Sequence, residues 1–278
     1  MSSSPEAPIP LFARDDGSGP PVVLLHGVGA DHAVWNAVIP SLLDSFRLLA
    51  PDLRGHGRSK APDGAGYSMN AFVADVLGLL ASHQLDSAHL VGLSAGALLA
   101  LRLGLDAPEK VRSVTLISGA AYTDGHTRSV AERWAETYAD AGPDALAIRL
   151  LKDLYYPDWI EAHMEVADRL REEAPQRDYR SAARWATELA SFDERARIAS
   201  LRPPALIVQA MDDEVVDASH GRILRQSIPR ARIRILAQTG HMVPVERPEE
   251  TAQAIREFVA EVEAARGSEG PAGLSRAA

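Results

Sequence analysis

Two patterns of apolar positions alternate along the chain. Short runs of consecutive apolar residues, at 22–25, 46–50, 89–93, 111–117, 205–209 and 232–236, predict six strands. Their lack of strict apolar–polar alternation is what strands covered on both faces should show. Between them lie segments with helical spacing. Met69, Phe72, Val73, Val76, Leu77 and Leu80 share one helix face after Ser68, whose hydroxyl suits an N-cap. Ile255, Phe258, Val259 and Val262 repeat the pattern near the end, and residues 95–105 are apolar nearly all round, as a buried central helix would be.

Strand–helix alternation implies an α/β chain: a mostly parallel sheet with helices on both faces. Right-handed crossovers then bring the C-terminal ends of the strands, and any site built there, to one edge. The alternation stops at residues 122–200, which read as several helices rich in Arg, Glu and Ala. The expected organisation is a core of residues 9–121 and 201–265 with a helical cap, 122–200, inserted between the fourth and fifth strands. Residues 1–8 and 266–278, rich in Ser, Pro, Gly and Ala, are expected to be tails. Most of the chain's aromatic rings fall in the cap, among them Trp134, Tyr155, Trp159, Trp185 and Phe192. The simplest expectation is that they pack the cap's own helices.

Composition narrows the chemistry. With 278 residues, 46% of them hydrophobic, the chain can bury a large core. A net charge of −9 disfavours nucleic acid and acidic membranes as partners. The absence of cysteine excludes disulfides, thiolate zinc sites and thiol nucleophiles. The first residues lack the pattern of a secretory signal, and no apolar window is long enough for a membrane span, so a cytoplasmic monomer or homodimer is expected.

The chemistry concentrates at Gly92-Leu93-Ser94-Ala95-Gly96, which closes one predicted strand and opens one predicted helix. A serine between glycines at that junction fits a nucleophile elbow, a tight turn that lifts the hydroxyl above the sheet edge. Serine needs a base. Of the nine histidines, His241 follows the sixth strand and so falls on the same edge as Ser94. The base needs a carboxylate to fix its tautomer. The fifth strand ends in Asp212-Asp213-Glu214, of which Asp213 is favoured and Asp212 next, with Asp217 reading as a helix cap. Backbone donors for an oxyanion are expected at Ala95, opening the helix, and at Val28 in the glycine-rich loop His26-Gly27-Val28-Gly29. His26 reads as a loop anchor. There is no His-Glu-x-x-His pair, phosphate-binding loop or dinucleotide fingerprint, so no metal and no cofactor are expected.

The order Ser94, Asp213, His241, the segment Asp52-Leu53-Arg54-Gly55-His56-Gly57-Arg58-Ser59 and the run from Gly240-His241 to Glu246-Arg247-Pro248 resemble the α/β-hydrolase superfamily over nearly the whole chain. The similarity is greatest to small capped members: enol-lactonases, carboxylesterases and carbon–carbon bond hydrolases. In that family the 52–59 and 246–248 segments are structural, so Arg54 and Glu246 are given no catalytic role. The family's first strand pair is expected to shrink here to about residues 9–14. The resemblance implies a cofactor-free serine hydrolase acting on a small-molecule ester or lactone. Two rivals stand beside it: the same triad used for carbon–carbon cleavage, acyl transfer or perhydrolysis, and a ligand-binding protein with little turnover.

Overall fold

The structure, a computed structural model, describes residues 8–62, 64–176 and 178–268. Seven strands form one sheet: β1 (Ala13–Gly17), β2 (Pro21–Leu25), β3 (Arg47–Pro51), β4 (Ala88–Leu93), β5 (Val111–Ile117), β6 (Ala205–Ala210) and β7 (Arg232–Leu236). Their order is β1-β3-β2-β4-β5-β6-β7. Every neighbouring pair is parallel except β1 with β3, so the ends of β2 and β4 to β7 share one edge.

The consecutive apolar runs resolve into two faces. Val23, Leu25, Leu90, Val114, Leu116 and Ile207 join one core cluster with α1 (Met69–Ser82) and α2 (Ala95–Asp106). Val22, Leu24, Val91, Leu93, Leu206 and Val208 point the other way, against Trp35, Ile39 and the helix α9 (Pro248–Ser268). Successive side chains of a strand alternate between faces, so a strand covered on both sides must be apolar throughout. Ser68 caps α1 through a bond from Ala71 N–H to its hydroxyl at 3.1 Å.

Between β5 and β6 lie α3 (Gly125–Leu154), α4 (Pro157–Ala162), α5 (Met164–Glu173) and α6 (Tyr179–Leu189). Gly142 (φ +78°, ψ −171°) breaks α3, and Pro143 restarts it, as a residue without an N–H can do at a first helical position. After β6 come α7 (Ser219–Ser227) and α8 (Val243–Glu246). Among the described residues, no helix is long and apolar enough to cross a membrane.

Three expectations are corrected. The first strand is not at residues 9–14 but at Ala13–Gly17. It is an antiparallel edge strand, half-exposed and held by Asp15 on Arg47 of β3 at 2.7 and 3.0 Å, so it needs few apolar residues. The aromatic rings of residues 122–200 do not all pack the segment's own helices. Tyr155 and Trp159 stack in a small separate cluster, but Trp185 and Phe192 belong to the main core. Finally, α9 carries through Arg266 to Ser268; the expected tails at 1–7 and 269–278 lie outside the described residues.

Candidate active site

Ser94 occupies the turn from β4 into α2 with φ +55° and ψ −119°, a conformation costly for a residue with a side chain. The turn closes because its flanks are glycine. A Cβ at Gly92 would strike Gly96 O, and one at Gly96 would strike Leu25 O. Ser94 N–H is tied to Ile117 O at 2.9 Å, which fixes the turn against β5. The hydroxyl is half-buried at the N-terminal end of α2, where the helix dipole is positive.

His241 follows β7, is 3% exposed, and directs Nδ1 at both carboxylate oxygens of Asp213, at 2.9 and 2.8 Å. Asp213 Oδ1 also accepts Val215 N–H at 2.9 Å and Val216 N–H at 2.8 Å. Three donors therefore converge on one buried carboxylate, which holds the Nδ1–H tautomer and leaves Nε2 as the ring nitrogen able to accept a proton. Asp212 is exposed and takes no part in this cluster. Asp217 is not the cap expected but sits one residue before the N-cap Ala218, where its carboxylate accepts Ser219 N–H at 2.8 Å.

The loop after β2 is anchored by two histidines. His26 Nδ1 donates to Gly27 O at 2.8 Å, and its Nε2 accepts Leu53 N–H at 2.8 Å. His56 Nδ1 donates to Arg54 O at 2.9 Å, and its Nε2 accepts Gly29 N–H at 3.2 Å. Each ring thus needs one bare nitrogen. Burial, then the neighbouring His56, pushes His26 down to about 3, and burial lowers His56. Because His26 holds the carbonyl of the Gly27–Val28 peptide, the Val28 N–H of that trans unit points to the opposite side. The Cβ position of Gly27 lies 3.1 Å from Ser94 Cβ, so this peptide runs beside the serine.

Sequence reasoning missed Ser118, and it named Trp185 and Glu246 without giving either a place beside the site. Ser118, just past β5 with φ +47°, donates to His241 O at 3.2 Å; its place at the strand's C-terminal end was the available signal. Trp185 of α6 is wholly buried, stacked on Phe72 at 4.4 Å and edge-on to His56 at 5.5 Å. Glu246 is buried beside His241, with Gly240 N–H and Tyr156 N–H on one carboxylate oxygen; burial raises its pKa. A pocket of about 80 Å³ opens from Ser94 and Ala95, bounded by Leu98, Trp134, Leu189 and Val216.

Among the described residues, one group, Asp31, His32 and Asp52, brings three potential metal-ligand atoms within 4.8 Å of one another. Hydrogen bonds account for the closeness of His32 and Asp52, while Asp31 accepts Ala33 N–H at 2.8 Å. Asp52 Oδ1 takes His32 N–H at 2.9 Å and His32 Nδ1 at 2.7 Å, while Oδ2 takes Arg58 N–H at 2.8 Å. The group ties two loops together on the same edge of the sheet.

Residues 20–248 match the family model described as alpha/beta hydrolase fold. The chain is 30% identical over 265 residues to 2-hydroxymuconate semialdehyde hydrolase of Pseudomonas sp. (strain CF600), covering 91% of each chain. It is similar to the solved enol-lactonase of Burkholderia xenovorans LB400, with 27% identity and a TM-score of 0.83, over 90% of this chain and 96% of that one. It is also similar to a thermophilic esterase of Thermogutta terrifontis, with 27% identity and a TM-score of 0.82, over 91% and 93% of the two chains.

Proposed function

The chain belongs to the alpha/beta hydrolase fold family, and from that premise we propose that it hydrolyses a carboxylic ester or lactone through an acyl-enzyme on Ser94. The carrying observation is the His241–Asp213 pair, buried at the same sheet edge as the strained Ser94 turn. Ser94 Oγ attacks the carbonyl carbon while His241 Nε2 takes its proton and passes it to the departing alcohol oxygen. Asp213 steadies the imidazolium. Ala95 N–H and Val28 N–H receive the oxyanion, and water then splits the acyl-enzyme by the same route. Residues 122–200 act as a cap over Ser94, since Trp134 and Leu189 wall the pocket.

A second reading keeps these residues and changes the bond. One of the relatives at 30% identity is named 2-hydroxymuconate semialdehyde hydrolase, which favours carbon–carbon cleavage as the alternative. Intact-mass measurement after fluorophosphonate treatment, followed by turnover of 4-nitrophenyl esters, tests the main reading. One adduct, abolished by Ser94→Ala, together with ester turnover supports it. Absence of both on folded protein overturns it, and labelling without ester or lactone turnover favours the second reading.

A further inference from the structure

The pocket beside Ser94 offers a substrate few free polar groups. Ser118 Oγ donates to His241 O at 3.2 Å, Thr123 Oγ1 to Leu189 O at 2.6 Å and Thr127 Oγ1 to Val215 O at 3.0 Å. Each of these lining hydroxyls spends its proton on a backbone carbonyl. Among the described lining residues, one carries a charge: Arg128.

Arg128 sits one turn after Asp124, the N-cap of α3. Its Nη2 donates to Ala190 O at 3.0 Å, and Ala190 is itself part of the pocket wall. One donor thus holds the guanidinium at the rim, with others left to bind. No carboxylate lies within ion-pair distance of Arg128 among the described residues. Asp124, the nearest acid before it in sequence, is committed to Thr127 N–H at 2.8 Å and His220 Nε2 at 3.1 Å. A chain of net charge −9 repels anions in general, so a guanidinium at the mouth of an apolar pocket is a local exception. Its planar fork matches a carboxylate.

We propose that Arg128 selects esters or lactones whose acyl part ends in a free carboxylate. The inference rests on Ser94 being the nucleophile. The acyl part must occupy the pocket, because it stays bonded to Ser94 Oγ after the carbon–oxygen bond breaks; the alcohol oxygen takes the proton from His241 and departs from an ester, or stays tethered to the acyl chain of an opened lactone. Water then adds to the acyl carbon, Ser94 Oγ regains its proton, and a dicarboxylate is released.

Mono-4-nitrophenyl glutarate and 4-nitrophenyl valerate have acyl chains of equal length and differ in that terminal charge. The wild-type enzyme should favour the glutarate in kcat/KM by about tenfold or more. Arg128→Gln should collapse that ratio, mainly through KM, and Arg128→Lys should keep part of it. As a readout without turnover, glutarate should bind Ser94→Ala in calorimetry, and a further Arg128→Gln change should abolish binding. An unchanged ratio in Arg128→Gln, or no glutarate binding to Ser94→Ala, overturns the assignment. Ser94 labelling with valerate turnover but no anion preference sinks the Arg128 assignment alone. Absence of label and of all ester turnover sinks the hydrolase reading itself.

Discussion

Glu246 accepts the backbone N–H of Gly240 at 3.0 Å with the same carboxylate oxygen that takes Tyr156 N–H at 3.1 Å. The residue before His241 is thereby fastened to the chain just past α3. On the other side of His241, Met242 N–H reaches Leu154 O at 3.1 Å. The opposite end of α3 is tied as firmly to the Asp213 loop, with His126 Nε2 on Glu214 O and Thr127 Oγ1 on Val215 O, both at 3.0 Å. One helical segment, bent at Gly142, therefore braces the loops of both His241 and Asp213.

Removing the Glu246 carboxylate should loosen His241 without touching Ser94. Glu246→Ala is expected to lower kcat by on the order of 10- to 100-fold, the cost of a small misplacement of a reacting group. Glu246→Gln keeps an acceptor oxygen and should fall much less. Equal kcat in all three proteins would show that the tie to Gly240 is irrelevant to turnover.

Asp213 and Asp212 are neighbours in sequence but not in environment. Asp213→Asn places an amide where Nδ1–H, Val215 N–H and Val216 N–H all require an acceptor, and should cost on the order of 10⁴-fold in kcat. Asp212→Asn, at an exposed position, should remain within about twofold of the starting rate. Steady-state kinetics on one ester decides between them, and a larger loss at Asp212 reverses the assignment.

Acid should destabilise the fold through the anchoring histidines. His26 is held down at about 3 against an ordinary 6.5, so the unfolded chain binds the proton more readily. Its contribution to stability is complete above about pH 6.5 and is lost as pH falls toward 3. His56, lowered by burial, acts in the same direction. Glu246, raised by burial, acts in the opposite one: its contribution is complete below its ordinary 4.5 and fades as pH rises through its folded value. Calorimetric Tm measured from pH 7.5 down to 4 should fall, and His26→Gln should flatten the slope. An identical slope in that variant would assign the acid sensitivity elsewhere.

Trp185 joins residues 122–200 to the core rather than to one another. With its ring wholly buried between Phe72 and His56, Trp185→Ala should cost about 3–5 kcal/mol, as large aromatic truncations do. Chemical denaturation checks this. A loss below about 1 kcal/mol would mean that the surrounding side chains close the cavity.

The strands and the Ser94 turn were legible in sequence because their causes are local. Val111–Ile117 stands where its apolar run predicts; Arg232–Leu236 is a strand too, but its Arg-Ile-Arg-Ile-Leu alternates and lies half-exposed at the sheet's other edge. The glycines around Ser94 announce a turn that no other residue fits. β1 was misplaced because an edge strand closed by Asp15 and Arg47 has no apolar run to reveal it.

Sequence by itself determined which residues come to the C-terminal edge of the sheet, since parallel strands with right-handed crossovers allow little else. Tertiary structure alone decided which of them meet. Sequence favours Asp213 over Asp212 without deciding between them; the choice follows from the Val215 and Val216 N–H groups that turn one carboxylate inward toward His241. Likewise Arg128 is one arginine among many until α3 and α6 set it against Ala190 at the pocket's rim. Such pairings depend on packing between segments far apart in the chain, which hydrophobic periodicity does not encode.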